Sequence, residues 1–192
     1  MSDQANHYKQ LLADAAAVNA RIDELAAEVI KRYKGTHPLF VCLLRGGAPF
    51  ASKLMFSVTR QDPTFYPELD YMTIRTYGDG RTDKPTELIM DLSPGTNAAG
   101  RQVVLLDDVL DKGLTAEFAQ QVLTEKHGAL GVDCVVLIQK NHKREHYGDA
   151  TIYGFDSPPD WLTGMGLDDV RIAPEANRWA EFIALAHDED EN

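Results

Sequence analysis

Residues 101–115 constrain the fold of this chain more than any other segment. They begin with an apolar run, residues 103–106, which is typical of a strand buried on both faces of a parallel sheet. Asp107 and Asp108 follow at the carboxyl end of this strand, and a glycine-containing turn then leads into a helical pattern. Ligands of open α/β sheets bind at that end of the strands, and a turn of free amides that opens a helix binds anions. The segment therefore predicts a site for a sugar phosphate, with acids for its hydroxyls or for a metal ion.

Length and composition favour a single domain and limit the classes of partner. The chain has 192 residues, of which 44% are hydrophobic, enough for one core. Acidic residues outnumber basic ones 30 to 19, and the net charge of -11 argues against binding to nucleic acid or to an anionic membrane. No apolar run approaches the roughly 20 residues that span a bilayer, and the polar N-terminus lacks a signal-peptide core. Cys42 and Cys134 lie in apolar runs and are expected to be buried, reduced thiols, which fits a cytoplasmic protein.

Helical and strand patterns alternate along the chain. Apolar residues at spacings of three and four predict a helix over residues 8–33, and shorter helices are predicted over residues 49–56 and 115–127. The predicted strands are residues 38–44, 69–76, 87–91, 103–106, 133–138 and 150–155. This alternation indicates an α/β protein with a central parallel twisted sheet flanked by helices. The acidic tail, residues 187–192, is expected to fray.

The acid-rich turn carries a family resemblance. Residues 101–115 closely resemble the phosphoribosyl pyrophosphate motif of the type I phosphoribosyltransferases, in which a hydrophobic strand, two acids and two hydrophobes precede Asp-Thr-Gly-x-Thr. The resemblance implies that Asp107 and Asp108 hold the ribose hydroxyls, directly or through Mg²⁺. It also implies that Asp111 lies near purine N7 as the proton acceptor or donor. The residues implied to hold the 5′-phosphate, through backbone amides and the last hydroxyl, are Lys112, Gly113, Leu114 and Thr115.

Two further loops resemble parts of the same family. Residues 43–47 are similar to the strand-end loop of hypoxanthine-guanine phosphoribosyltransferases, whose amides hold pyrophosphate and whose peptide before the basic residue is cis. Residues 75–77 are similar to the start of the family's mobile loop, which closes over the site and excludes water from the ribosyl centre. The substrate contacts implied by these two loops are Arg45, Gly46, Thr76 and Tyr77.

The base-binding side of the site is implied by residues 154–168. This segment has the same length as the family's base-binding segment and the same pattern of glycine and proline positions. The resemblance implies that Trp161 stacks on a purine, that the Leu162 carbonyl faces the purine 2-position, and that Asp168 binds Mg²⁺. Lys140 matches the family lysine that donates to the purine 6-oxo group. Because a lysine only donates hydrogen bonds, it favours a 6-oxopurine over adenine.

The chain also departs from the family pattern. Arg144 matches a family arginine near the pyrophosphate, but Lys112 stands where the family has Thr in the phosphate loop. That change removes a hydroxyl donor and adds a cation, and the sequence leaves open whether the cation faces the phosphate or solvent. The family usually has an arginine six positions after Asp168, where this chain has Pro174. Arg171 is the nearby candidate to replace it.

The matches appear in the family's order and imply a type I phosphoribosyltransferase fold. We expect a single domain over residues 1–192, with a small hood built from about residues 150–180 and part of the N-terminus. The implied partners are 5-phosphoribosyl 1-pyrophosphate and a 6-oxopurine, with Mg²⁺ as cofactor, and the implied assembly is a homodimer or homotetramer. The implied reaction is purine salvage: hypoxanthine or guanine becomes the nucleoside monophosphate, and pyrophosphate leaves.

Three alternatives remain open at this point. A regulator can retain the fold while binding nucleotide or RNA, because a fold does not fix a function. A transferase can act on xanthine or another base, since backbone contacts and water decide what is accepted at the purine 2-position. A phosphatase or kinase can also use paired acids at a strand end. The sequence argues against this alternative, because it has no P-loop and because a phosphatase or kinase would leave the base-binding segment unexplained.

Overall fold

A six-stranded sheet carries the candidate site, and helices cover both of its faces. This computed structural model describes residues 8–76, 86–144 and 146–187. The strands are β1 (Gln10–Ala13), β2 (Leu39–Leu43), β3 (Glu68–Arg75), β4 (Glu87–Met90), β5 (Gln102–Leu110), β6 (Gly131–Lys140), β7 (Ile152–Ser157), β8 (Leu162–Thr163) and β9 (Ile183–Leu185). The helices are α1 (Ala15–Tyr33), α2 (Gly47–Gln61) and α3 (Leu114–Gln121), and a π-helical turn (Val122–Lys126) continues α3. No helix in these ranges is long and apolar enough to cross a membrane.

The central sheet has the strand order β4-β3-β2-β5-β6-β7, with parallel neighbours except β3 and β4. Successive side chains of β2 alternate between two cores: Phe40 and Cys42 pack towards α1 and α2, and Val41 packs towards α3. Because both faces are covered, β2 is apolar and buried throughout. Burial also raises the pKa of the free Cys42 and Cys134 thiols well above the usual range. The predicted α/β class with a mostly parallel central sheet is confirmed.

A second sheet of three strands, in the order β1-β9-β8, brings the two ends of the described chain together. Apolar residues of all three strands join the core on the α1 and α2 side of the central sheet. Residues 10–13, which the sequence pattern predicts as helix, form β1 instead. The helix starts later because Asp14 caps it: the Asp14 carboxylate accepts a hydrogen bond from the Ala17 N–H at 2.8 Å.

Other element boundaries also differ from the prediction. β5 continues past its apolar run to Leu110, because β6 is long enough to pair with it there, so Asp107 and Asp108 lie inside the strand. α2 is longer than residues 49–56, since buried side chains continue at helical spacing to Val58. β7, over residues 152–157, pairs with β6 in the central sheet, where a strand is predicted over residues 150–155. The small sheet includes β9, which lies beyond residue 180.

Candidate active site

Two adjoining cavities lie at the carboxyl end of β5. A cavity of about 300 Å³ is formed by Thr76 and residues 107–116. A second cavity, of about 190 Å³, is formed by the ends of β5 and β6 together with the segment around β8. Asp108 and Asp111 line both cavities, so the two join at these carboxylates. The second cavity is lined by Asp108, Val109, Asp111, Lys140, Trp161, Leu162, Gly166, Leu167, Asp168 and Arg178. Tyr77 lies outside the described residues.

The turn that opens α3 forms one side of the first cavity. Gly113 has a φ of +85°, a left-handed conformation that glycine adopts without strain. A Cβ at Gly113 would lie 2.6 Å from the backbone nitrogen of Tyr147, so the loop after β6 packs directly on this turn. Lys112, Leu114 and Thr115 line the same cavity. Because the first amides of a helix have no intrahelical acceptor, the turn presents hydrogen-bond donors to an anion.

Asp107 and Asp108 form a tightly packed pair of acids between the two cavities. Asp108 is buried, and Asp107 is partly buried. Burial, together with the charge of Asp108, raises the pKa of Asp107 well above its usual range, and burial also raises the pKa of Asp108. Because burial and the charge of the neighbouring acid disfavour the ionised pair, a cation or a hydroxyl donor bound in the cavity would offset the cost of ionising it. These two acids are therefore suited to bind ribose hydroxyls or a metal ion.

Asp111 is held from both sides by nitrogen donors. Its Oδ2 lies 2.8 Å from Lys140 Nζ, and its Oδ1 lies 2.7 Å from His142 Nε2. Partial burial disfavours the charged form, but the hydrogen bonds and charges of Lys140 and His142 outweigh burial and lower the pKa of Asp111. Asp111 is therefore ionised near neutral pH. His142, two residues after Lys140, is a site residue that the sequence pattern does not predict.

The aromatic side of the second cavity is formed by Trp161. This side chain is 54% exposed, an unusual state for a tryptophan that served only as core. The guanidinium of Arg171 lies 5.7 Å from the Trp161 ring centroid, and Arg171 also binds Asp169 with its Nε 2.8 Å from Oδ1. Arg171 therefore supports the ring and its own segment. Leu162 follows in β8, beside the same cavity.

Arg178 is the arginine that the structure brings to the cavity. The chain after Asp168 turns back on itself: the Asp169 N–H donates to Ala176 O at 3.0 Å, and the Gly166 N–H donates to Arg178 O at 2.8 Å. Arg178 is nearly buried, and its Nη2 lies 2.8 Å from Asp168 Oδ1. Position counting from Asp168 predicts Pro174 or the nearby Arg171 here, but Arg178 lies at the cavity because the residues between Asp168 and Arg178 form a loop.

The loop between β2 and α2 approaches the acid pair from the other side. It contains a cis peptide bond between Leu44 and Arg45, as the resemblance implies. A Cβ at Gly46 would overlap the Asp108 carboxylate, so the backbone at this position approaches the acids as only glycine allows. The Arg45 side chain is largely exposed, and its Nη1 lies 3.0 Å from Glu175 Oε1.

Arg144 lies in the loop after β6, and its side chain is almost fully buried. Its guanidinium donates to the backbone carbonyl of Lys140 at 2.9 Å and to the Asp149 carboxylate at 2.7 Å. These contacts hold the loop against the end of β6. In this arrangement, the side chain of Arg144 supports the backbone that carries Lys140.

The acids at this edge of the sheet fit a Mg²⁺ ion that shares ligands with a substrate. Asp108 and Asp168 line the second cavity, and Asp107 lines the first. Carboxylates are hard ligands, and Mg²⁺ commonly uses one or two of them with substrate phosphates and waters. Among the described residues, no group of three or more His, Cys, Asp or Glu side chains forms a complete metal site.

The fold and the paired cavities define a protein of the phosphoribosyl-transfer class. The family model for the phosphoribosyl transferase domain matches residues 7–169, and the chain belongs to this family. It is 27% identical over 161 residues to a hypoxanthine-guanine phosphoribosyltransferase of Bacillus subtilis, an alignment that covers 83% of this chain and 85% of the relative.

Solved structures have the same fold. A hypoxanthine phosphoribosyltransferase from Staphylococcus aureus superposes with a TM-score of 0.84 at 24% identity, covering 100% of this chain and 98% of that one. A hypoxanthine phosphoribosyltransferase from Trypanosoma cruzi, in complex with the product IMP, gives a TM-score of 0.82 at 19% identity, with 98% and 100% covered.

Proposed function

We propose that the protein is a purine-salvage phosphoribosyltransferase that joins hypoxanthine or guanine to 5-phosphoribosyl 1-pyrophosphate. The position of Asp111 is the observation that carries the proposal. Asp111 lines both the cavity with the anion-binding turn and the cavity with Trp161, and it is paired with Lys140. A molecule that fills both cavities would carry a phosphate at one end and an aromatic base at the other. A nucleoside monophosphate has this form, and the hypoxanthine-guanine relatives support the same substrate class.

The base is recognised by groups of the second cavity. Trp161 offers an aromatic face, and base–aromatic stacking is worth about 1–3 kcal/mol in nucleic-acid complexes. Lys140 donates to the purine 6-oxo group, and the Leu162 backbone faces the 2-position. Since a backbone carbonyl accepts a guanine amino group but water can replace that contact, xanthine remains an alternative substrate.

The sugar phosphate is held by the first cavity and by the acid pair. Amides from Lys112 to Thr115, with the Thr115 hydroxyl, bind the 5′-phosphate at the positive end of α3. Asp107 and Asp108 bind the ribose hydroxyls. Thr76 lies at the same cavity.

During the reaction the purine loses a proton and pyrophosphate departs with its negative charge. Residues at the two ends of the site stabilise these changes. As the bond from purine N9 to C1′ forms and the bond from C1′ to the pyrophosphate oxygen breaks, the purine becomes more acidic, and the ionised Asp111 accepts the N7 proton. Arg45, the Gly46 amide and Arg178 stabilise the departing pyrophosphate. Asp107, Asp108 and Asp168 would hold Mg²⁺ together with substrate oxygens, and the ion would supply positive charge that offsets the charge of pyrophosphate.

We also propose how the chain is organised outside the site. The whole chain acts as one domain, with the small sheet of β1, β8 and β9 as the hood that carries the base-binding residues. Buried free thiols fit a reducing compartment such as the cytoplasm. A homodimer or homotetramer is the assembly we expect.

Phosphorus NMR tests the proposed reaction. Protein is incubated with 5-phosphoribosyl 1-pyrophosphate, Mg²⁺ and hypoxanthine, and the signals of substrate, nucleoside monophosphate and pyrophosphate are followed. We expect nucleotide and pyrophosphate to appear in equal amounts, and neither to form without the base. Ribose 5-phosphate in place of nucleotide would indicate a hydrolase. No turnover, together with retained nucleotide or RNA binding, would favour the regulator.

A further inference from the structure

Glu175 places a carboxylate between the two arginines of the proposed pyrophosphate site. Its Oε1 lies 3.0 Å from Arg45 Nη1, and its Oε2 pairs with Arg178 Nε. The two arginines come from distant parts of the chain, one from the loop after β2 and the other from the segment before β9. A single carboxylate therefore bridges them, with one oxygen for each guanidinium.

The backbone of the looped-out segment holds Glu175 in this place. Glu175 has a φ of +65° and Asn177 a φ of +61°, which are left-handed conformations that residues with a Cβ adopt at a cost. The Arg178 N–H donates to Glu175 O at 3.2 Å, and the Ala180 N–H donates to Asn177 O at 2.8 Å. These turns fix the backbone positions of Glu175 and Arg178 relative to each other, which keeps the two side chains within reach of their ion pair.

The charged groups around the Glu175 carboxylate determine whether another anion can replace it. Arg178 also pairs with Asp168: its Nη2 contacts Asp168 and its Nε contacts Glu175, so one guanidinium holds both acids at once. The Arg45 side chain is 73% exposed, and its pair with Glu175 is therefore weak and readily exchanged for another anion. A pyrophosphate bound by both arginines must replace the contacts that Glu175 now makes.

We propose that Glu175 is an affinity-determining residue that occupies the anion position of the pyrophosphate site and competes with pyrophosphate for Arg45 and Arg178. The inference rests on the proposed function, because that function places pyrophosphate between these arginines. The competition weakens binding of the product pyrophosphate and favours its release. Neutralising Glu175 removes the competitor and leaves Arg45 and the Nε of Arg178 available to pyrophosphate, while Arg178 keeps its pair with Asp168.

Calorimetric titration with magnesium pyrophosphate tests the inference directly. Glu175→Gln keeps the size of the side chain and removes its charge, and Glu175→Gly removes the side chain where φ favours glycine. We expect both variants to bind pyrophosphate about three- to tenfold more tightly than the wild type. They should also show a lower inhibition constant for pyrophosphate in the transferase assay. The matched control is Glu181→Gln, which removes an acid of the same segment that pairs with Lys53 and should leave pyrophosphate affinity unchanged.

The possible outcomes separate this inference from the proposed function. Unchanged or weaker pyrophosphate binding by both variants, with a wild type that makes nucleotide, would overturn the inference alone. Tighter binding by both variants, with a wild type that converts no base, would overturn the proposed function and support the inference. Absence of pyrophosphate binding in all proteins would overturn both. Thermal unfolding of each variant near the wild-type temperature establishes that the comparison is made on folded protein.

Discussion

Replacing Lys140 with Met would remove one charge from the base cavity while keeping the apolar stem of the side chain. The Lys140 side chain is 9% exposed, and its Nζ lies 2.8 Å from Asp111 Oδ2. A charge-assisted hydrogen bond to a purine oxygen at such a site contributes about 1.5–3 kcal/mol, which corresponds to a loss of about ten- to a hundredfold in kcat/KM for a 6-oxopurine. The free energy of unfolding should change by less than about 1 kcal/mol, since Asp111 is 41% exposed and retains His142.

Two measurements separate the base cavity from the sugar-phosphate cavity. Steady-state kinetics with hypoxanthine and guanine reports on the base, and calorimetry with 5-phosphoribosyl 1-pyrophosphate reports on the sugar phosphate. Lys140→Met should lower kcat/KM for the bases and leave the dissociation constant of the sugar phosphate within about threefold, or about 0.65 kcal/mol. The matched control is Lys53→Met, which removes a surface lysine that contacts Asn19 and Glu181. An unchanged kcat/KM for every base accepted, or an equal loss of sugar-phosphate affinity, would refute the assignment of Lys140 to the base.

Three further substitutions test other parts of the site. Asp111→Asn should lower kcat by about 10²–10⁴-fold while leaving calorimetric binding of 5-phosphoribosyl 1-pyrophosphate intact, and a near-normal kcat would remove Asp111 from proton transfer. Lys112→Thr should remain active, with KM for the sugar phosphate changed by less than about tenfold because backbone amides hold the phosphate; a larger change would assign the main phosphate contact to Lys112. Asp107→Asn should stabilise the fold only at higher pH. Because the pKa of Asp107 is raised in the folded state, its protonation stabilises the fold fully below the unfolded value of about 3.9, and this contribution is lost as pH rises through the folded pKa. Urea unfolding at pH 3 and pH 8 measures the difference, and an equal change at both pH values would contradict it.

The sequence predicts the central sheet well because its signals are local. An apolar run such as residues 103–106 is typical of a strand buried on both faces of a parallel sheet, and the glycine-containing turn after it indicates the start of a helix. The boundaries were less predictable. Whether β5 stops at its acids depends on pairing with β6, a contact between residues distant in the chain. The strand at residues 10–13 likewise exists because β9 pairs with it from the other end of the chain.

The residues of the candidate site also fall into those that the sequence could predict and those that it could not. Asp107, Asp108 and Asp111 follow one another along a strand and turn, so their convergence at one edge could be predicted from residue order. Arg178 could not, because its place in the cavity depends on how far the segment after Asp168 loops out before it returns to Gly166. His142 was missed for a related reason: its contact with Asp111 joins two neighbouring strand ends and leaves no pattern in the sequence.

The most direct test of the account is a transfer assay with labelled 5-phosphoribosyl 1-pyrophosphate, Mg²⁺ and a panel of free bases. The account predicts labelled nucleoside monophosphate from hypoxanthine or guanine, and at least about a hundredfold lower kcat/KM with adenine, because Lys140 can only donate a hydrogen bond at the purine 6-position. Transfer to adenine as efficient as transfer to hypoxanthine would contradict the base assignment. Absence of nucleotide from every base, with tight binding of RNA that weakens as salt is raised, would contradict the transferase itself.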